Sequence, residues 1–283
     1  YITQIYFAQG KYDEVIDYGI TKTKDRTLKK RAEINQLVGQ AFFEKGDFTA
    51  ALPYLEFAAE NSNKMRKEDF YLLGYVQHQA GKYDRAAKNL EQLNGIYSKM
   101  GQNAMYMLGD AQVQVGKKSA ARNAFRAASK MNFDPKTQED ALYNYAKLSY
   151  ELNYGREAID ALRQIPTTSS YYLESQTMMS NIFLNTRDYE KALGILEGTK
   201  DKTPKLKETY QKVAYLRALQ LIKQEDYVAA KNRLNKSLTY PIDNRTKALA
   251  IYWRGEIAHL TKNYGVSIGE FNIFLNLAYT VSI

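Results

Sequence analysis

A short motif recurs eight times along this chain and constrains its fold more than any other feature. The motif is Gly, Asn or a charged residue, then any residue, an aromatic residue, any two residues and a small residue. Its copies begin at Gly10, Gly46, Gly81, Gly116, Asn153, Arg187, Glu225 and Lys262. The intervals between copies run from 34 to 38 residues. That period fits one helical hairpin with a short loop at each end, and it predicts a stack of hairpins.

Three further positions explain the period physically, and the third repeat shows them. A small residue, Gly74, precedes the turn, so that two helices can approach closely. Ala86 follows the turn and Leu90 stands four residues later, on the same helical face. This face is predicted to pack on the preceding helix. The turn aromatics are predicted to close the hairpin ends; they are Tyr12, Phe48, Tyr83, Tyr189, Tyr227 and Tyr264.

The pattern resembles the tetratricopeptide repeat, whose signature is W-x2-L-G-x2-Y, then A-x3-F, then P. Repeat three carries it as Phe70, Leu73, Gly74, Ala86 and Leu90. The resemblance covers essentially the whole chain. It implies an all-α fold, a right-handed α-α superhelix or TPR solenoid of about eight helical hairpins.

The repeats are predicted to form one solenoid over residues 1–283, as a fragment of a longer chain. Their approximate ranges are 1–27, 32–63, 67–99, 102–135, 139–168, 171–202, 207–241 and 245–279. Departures from the signature are local: Lys118 and Gly155 replace the turn aromatic, and Arg217 and Arg254 replace the leucine.

Composition and the two ends set further bounds. Hydrophobic residues make up 45% and charged residues 25%, which indicates a globular chain. Without cysteine there is no disulfide framework and no thiolate chemistry, and no apolar run is long enough for a transmembrane segment. The chain begins with Tyr1, so we expect any targeting signal in a preceding segment. The apolar end, FNIFLNLAYTVSI, leads us to expect further repeats or an end-to-end partner beyond Ile283.

The resemblance also implies a binding surface. In tetratricopeptide arrays the first helix of each hairpin lines a concave groove. Carried over position by position, the expected groove residues are Gln40, Tyr71, Tyr75, His78, Tyr106, Asp110, Tyr143, Lys147, Tyr150, Asn181, Tyr215 and Tyr252. A tyrosine ladder offers flat apolar area and a hydroxyl at low entropy cost, which suits a peptide or a partner helix. The alternative is that these rings pack between neighbouring helices.

Within that surface, the resemblance leads us to expect the central Tyr106 and Tyr143 to be hot spots. Gln40, Lys147 and Asn181 are expected to fix the register of the bound segment. Lys147 and Asn181 also resemble ligands of family members that bind chaperone C-terminal carboxylates. Tyr75 and Asp110 break that set, so a clamp of this type is disfavoured.

No motif indicates an enzyme, a metal site or a cofactor. Acidic pairs such as Asp13-Glu14 stand at predicted helix starts, where the helix dipole explains them. The only histidines, His78 and His259, are five repeats apart and have no second ligand nearby in sequence. The sequence therefore predicts a non-catalytic scaffold that binds a protein or peptide ligand in its groove.

The net charge of +9 leaves other partners to consider. Basic clusters occupy the loop after the first hairpin, the second helix of the fourth hairpin and the loop after the sixth hairpin. They are residues 22–31, 117–130 and 200–212. Basic loops combined with aromatic rings could hold single-stranded nucleic acid. Nucleic acid is nevertheless unlikely, because the clusters lie away from the tyrosines. A solvated convex surface is the leading interpretation, and an acidic protein or lipid partner is the next.

One segment bears on location. The stretch ALYNYAKLSYEL, residues 141–152, follows Asn132-Phe133-Asp134 and resembles the middle of multi-repeat TPR proteins of bacterial cell envelopes. It predicts a periplasmic or envelope-associated protein, with the cytoplasm as the alternative. A self-assembling structural module of a larger envelope complex is the second functional hypothesis.

Overall fold

The structure is a computed structural model that describes residues 1–278, and within this range it is all α-helical. The predicted all-α fold of helical hairpins is confirmed. The chain divides into two compact units, Tyr1–Leu152 and Asn153–Ile283. Across the described part of the chain, no helix has the length and apolar character needed to cross a membrane.

Nine helices belong to unit 1: α1 (Ile2–Ala8), α2 (Tyr12–Thr23), α3 (Arg31–Glu44), α4 (Phe48–Glu60), α5 (Lys67–Gln79), α6 (Tyr83–Leu90), α7 (Lys99–Gln114), α8 (Lys118–Ser129) and α9 (Pro135–Glu151). A short 3-10 helix, Glu91–Leu93, extends α6. Unit 2 contains α10 (Gly155–Leu162), α11 (Tyr172–Asn185), α12 (Tyr189–Gly198), α13 (Pro204–Lys223), α14 (Tyr227–Ser237), α15 (Asn244–Leu260) and α16 (Tyr264–Ala278). In the order of the repeats, odd-numbered helices take the place of helix A and even-numbered helices that of helix B.

The recurring motif marks the turn inside each hairpin. All eight motif positions have a positive φ: 70–78° at the four glycines and 59–63° at Asn153, Arg187, Glu225 and Lys262. This left-handed conformation ends helix A. In the third hairpin, Gly81 N–H donates to the His78 carbonyl at 3.0 Å and Lys82 N–H to the Gln77 carbonyl at 2.8 Å. These two bonds form a Schellman motif, which satisfies carbonyls that the helix end leaves free.

The aromatic residue of the motif begins helix B and packs back on helix A. Its ring meets the side chain five residues earlier, edge to face. The pairs are Phe7–Tyr12, Phe43–Phe48, His78–Tyr83 and His259–Tyr264, with ring centroids 5.3–5.6 Å apart. These contacts confirm that the aromatics at these four turns close the hairpin ends, as predicted. They also give both histidines an ordinary packing role.

The small residue of helix A is required by close packing. A Cβ atom on Gly74 would lie 2.7 Å from Leu90 Cγ, far inside van der Waals contact. A Cβ atom on Gly109 would likewise lie 2.8 Å from Phe125 Cδ1. Ala86 and Leu90 have no exposed surface. The small and large positions therefore fit together across each of these helix pairs, as the sequence predicts.

The two arginines that replace the signature leucine are held by ion pairs in unit 2. Arg217 Nε donates to the Glu190 carboxylate at 2.9 Å, and Arg233 donates to the same carboxylate at 2.6 Å. Arg254 pairs with Glu270, which is buried on α16. Partner carboxylates on neighbouring helices therefore stabilise positive charges at positions that are usually apolar.

Buried glutamines fix where two of the inter-hairpin loops end. Gln102 has no exposed surface, and its amide donates to the Met131 carbonyl at 2.7 Å and accepts from Asp134 N–H at 2.8 Å. In unit 2, the Gln211 amide donates to the Asp243 carbonyl at 2.9 Å and accepts from Asp243 N–H at 2.7 Å. Each aspartate caps the next helix A. A buried glutamine on one helix A thus orients the start of the next.

Gly74→Ala tests the close approach. The added methyl group must displace Leu90, so we expect the free energy of unfolding to fall by about 1–3 kcal/mol. Gly194→Ala in α12 is the control, because no heavy atom lies within 4 Å of the position that its Cβ would take. That variant should gain about 0.4–1 kcal/mol. Urea unfolding followed by circular dichroism measures both, and equal effects of the two substitutions would contradict the packing argument.

Candidate binding surface

All twelve predicted groove residues lie on A helices, as expected. Nine belong to unit 1, on α3, α5, α7 and α9; Asn181, Tyr215 and Tyr252 lie on α11, α13 and α15 of unit 2. Within unit 1 the A helices contact one another in chain order. Side chains on successive A helices can therefore form one continuous surface in this unit.

Tyr71 and Tyr75 join neighbouring A helices in different ways. Asn103 Nδ2 of α7 donates to the Tyr71 hydroxyl at 2.8 Å. Burial raises the pKa of Tyr71, which is half-buried. Tyr75, also half-buried, packs its ring against Phe43 and Phe48 of the preceding hairpin, at centroid distances of 5.1 and 5.0 Å. Tyr71 is thus held from the next hairpin through its hydroxyl, and Tyr75 from the preceding hairpin through its ring.

His78 and Asp110 form a hydrogen-bonded contact between α5 and α7. His78 Nε2 lies 2.6 Å from Asp110 Oδ2, so the imidazole donates to the carboxylate. This hydrogen bond holds the pKa of Asp110 below its usual range, against the opposing effect of burial. The Asp110 side chain is 39% exposed and that of His78 only 17%. The carboxylate is therefore presented to solvent in a fixed orientation.

Tyr106 lies beside this carboxylate, one helical turn before it. Its half-buried ring meets Phe125 edge to face at 5.6 Å. Its pKa is raised by burial first, and then by the negative charges of Asp140 and Asp110. Tyr106 is therefore an anchored ring with an accessible rim in an acidic environment.

The structure revises the expectation for Tyr143. Its residue is only 6% exposed, so the ring offers a partner little surface, and packing is the interpretation that fits it. Lys147 on the same helix is exposed, with Nζ 5.9 Å from the Tyr143 ring centroid. Tyr150, one turn further, is half-buried. The spacing of the repeats alone did not reveal this burial.

A cleft of about 350 Å³ lies beside Gln40 in unit 1. Gln36 and Asp69 also line it, and Gln36 Nε2 donates to the buried Asp69 carboxylate at 3.0 Å. Arg66 pairs with the same carboxylate at 2.9 Å. The sequence analysis did not select Asp69 or Arg66. The available signal was an acidic residue at the third position of α5, typical of a helix start.

The three predicted residues of unit 2 differ in their surroundings. Asn181 is half-buried. Burial raises the pKa of Tyr215, and a hydrogen bond with Trp253 opposes this shift. A hydrogen bond to Glu256 raises the pKa of Tyr252, whose ring contacts Phe271 and Phe274 on α16. Tyr215 and Tyr252 are therefore engaged with neighbouring side chains.

The comparisons with known proteins agree with this architecture. A family model described as the tetratricopeptide repeat protein 21 ARM repeat matches residues 27–193, more than half of the chain. The chain belongs to this tetratricopeptide-type repeat family. A search of curated protein sequences found no significant match. Within residues 1–278, no group of three histidine, aspartate or glutamate side chains is arranged to hold a metal ion.

Several solved structures of tetratricopeptide proteins are similar to this chain. YrrB, described as a TPR protein with an unusual peptide-binding site, is 17% identical over 60% of this chain and 84% of its own, with a TM-score of 0.48. The C-terminal part of a TPR protein from Cytophaga hutchinsonii is 14% identical over 87% and 96%, at a TM-score of 0.46. A repeat protein from Parabacteroides merdae is 12% identical over 94% and 96%, at 0.43.

Asp110→Asn tests the contact with His78 through its pH dependence. The pKa of Asp110 is depressed in the folded state. Its ionised carboxylate therefore stabilises the fold above the unfolded-state pKa of about 3.9, and this stabilisation is lost as the pH falls through the folded-state pKa. We expect the variant to unfold at a lower urea concentration than the wild type at pH 6, and the difference between the two urea midpoints to narrow towards pH 3. Asp84→Asn, at an exposed carboxylate, is the control. A gap that does not change with pH would contradict the assignment.

Proposed function

We propose that the A-helix face of unit 1 binds an extended peptide segment or a partner helix, and that the chain is a non-catalytic interaction scaffold. This face comprises Gln40, Tyr71, Tyr75, His78, Tyr106 and Asp110. The observation that supports it best is the state of Tyr71 and Tyr106, which are half-buried. Asn103 of the next hairpin anchors Tyr71, and Phe125 of the same hairpin anchors Tyr106. A surface fixed in this way loses little side-chain entropy when it binds.

Each anchored tyrosine keeps chemistry available for a ligand. The Tyr71 hydroxyl accepts a hydrogen bond from Asn103, so its own proton can be donated to a backbone carbonyl of the partner. The rim of each ring adds apolar contact area. Together these groups suit a peptide, whose backbone offers acceptors at regular spacing.

The carboxylate of Asp110 gives this surface an oriented hydrogen-bond acceptor for a ligand. It is ionised at neutral pH, partly exposed and oriented by His78. It can accept from a backbone N–H or from a basic side chain of the ligand. The cleft beside Gln40 lies two A helices away in chain order and can receive a further side chain of the same segment.

A self-assembling structural module remains the second proposal. Ile273 and Leu275 on α16 are each 51% exposed, which leaves apolar surface near the end of the described chain. Tyr279 to Ile283, the rest of the apolar stretch, lies outside the described residues. Light scattering over a concentration series tests the proposal, and a monomer at every concentration overturns it.

The periplasm or cell envelope is the proposed location, supported by the resemblance of residues 141–152 alone, and fractionation of cells expressing the full-length protein tests it.

The leading proposal can be tested with a phage-displayed library of 12-residue peptides selected on the wild-type protein. Synthetic versions of the enriched peptides are then measured by fluorescence polarisation. We expect Tyr71→Ala and Tyr106→Ala each to weaken binding at least about tenfold, because central aromatic anchors carry much of an interface's free energy. Tyr71→Phe and Tyr106→Phe separate loss of the hydroxyl from loss of the ring.

Tyr97→Ala is the matched control, because Tyr97 is exposed on a loop rather than on an A helix. Its affinity for the selected peptides should equal that of the wild type. Selection that enriches no sequence, or peptides that bind all variants equally, would rule out the A-helix face as the binding surface.

A further inference from the structure

The loops between successive hairpins of unit 1 meet along one edge, which we call the inter-hairpin edge. Its loops are residues 24–30, 61–66, 94–98 and 130–134. Direct contacts join the last three: Lys67, just after the second loop, donates to the Gln92 carbonyl beside the third. The rings of Tyr97 and Phe133 join the third loop to the fourth at 5.0 Å. Ala32, just after the first loop, lines the same cleft as Ser62 and Lys64 of the second. The edge therefore runs along the loops and adjoins the A-helix face at that cleft.

Two aromatic rings protrude from this edge. Tyr97 is 67% exposed and Phe133 is 41% exposed, and they meet edge to face. Neither residue belongs to the hairpin signature, and neither ring is buried by the hairpin core. A paired apolar tip on two loops is therefore not accounted for by the packing of the repeats.

The loops of this edge are rich in positive charge. The four loops contain seven lysine and arginine residues, four of them on the first loop, but only two aspartates. Two of the cations are paired with carboxylates, Lys30 with Glu33 and Arg66 with Asp69. Both aspartates are engaged locally: Asp25 accepts from the Thr27 hydroxyl at 2.6 Å, and Asp134 caps α9 through Thr137 at 2.9 Å. Lys99 and Lys130 are exposed beside the aromatic pair. The edge therefore combines a cationic surface with an apolar tip.

We propose that the inter-hairpin edge of unit 1 docks on the surface of an anionic lipid bilayer. Tyr97 and Phe133 would enter the headgroup region, and the loop cations would face anionic headgroups. Aromatic side chains favour the membrane interface, and lysine and arginine near an anionic surface add attraction. This is peripheral attachment through the loops rather than through the tyrosines of the A helices.

Other occupants fit the same observations less well. A second copy docking through this edge would bring its cations against those of the first, which is unfavourable. Single-stranded nucleic acid prefers open ring faces along a channel, whereas these rings pack on each other at the tips of two loops. An acidic peptide would satisfy the cations but would not require an apolar tip.

Site-specific labelling tests the proposal, because the chain contains no cysteine and one introduced cysteine is labelled uniquely. Asn132→Cys, on the exposed loop residue next to Phe133, carries the environment-sensitive dye NBD and keeps both rings; Lys117→Cys on a turn inside a hairpin is the control. The probes are vesicles of phosphatidylcholine alone and of phosphatidylcholine with phosphatidylglycerol at 3:1. We expect the dye at position 132 to brighten and shift to the blue only with the anionic vesicles, and the dye at position 117 to stay unchanged.

Vesicle sedimentation then separates the two components of the edge. Tyr97→Ser with Phe133→Ser should abolish most of the binding, since the tip is exposed and its loss leaves the hairpin core intact. Lys24→Glu with Lys29→Glu should lower partitioning by at least about fivefold for each cation. Lys117→Glu with Lys118→Glu makes the same charge change at the turn inside the fourth hairpin and should have little effect.

Three outcomes would overturn the proposal. The first is equal partitioning of all three double variants. The second is binding that survives loss of the aromatic pair, since it would show attraction of charge alone. The third is tight binding of a labelled single-stranded oligonucleotide or of poly-glutamate without binding to the anionic vesicles.

Discussion

The close contact between the small residue of helix A and the large apolar residue of helix B is the constraint on which the structure depends. Where Gly74 meets Leu90, the space that a Cβ atom would need is already filled. The contact holds helix B against helix A and leaves the next hairpin to pack on the pair. It also assigns one face of helix A to the core. The remaining positions of helix A are released from that requirement and vary from repeat to repeat.

Those variable positions acquire fixed geometry from neighbouring hairpins. Asn103 reaches Tyr71, and His78 reaches Asp110, each from one A helix to the next. A surface built in this way is rigid because its side chains are held on two helices at once. The same principle operates at the loops, where Gln102 holds the start of the following helix A. Stacking thus orders both the A-helix face and the inter-hairpin edge of unit 1.

The sequence predicts the repeated elements well and the singular ones poorly. The turn motif coincides with positive φ at all eight positions, because the chain reversal needs that conformation each time. The pairing of Gly74 with Leu90 is likewise a local requirement. The bond that Asp69 receives from Gln36 depends on a side chain about one repeat away, and the burial of Tyr143 is not visible in the repeat pattern. The exposed Tyr97–Phe133 pair lies outside the periodic pattern, so periodicity could not reveal it.

The central claim is that the A-helix face of unit 1 is a preformed peptide surface. The most direct measurement is ¹³C NMR of ring-labelled tyrosines, assigned by single Tyr→Phe substitutions, during titration with a library-selected peptide. The account predicts that the ring signals of Tyr71 and Tyr106 shift with one common affinity, whereas that of Tyr97 does not move. Shifts confined to tyrosines outside the A-helix face, at saturating peptide, would contradict it.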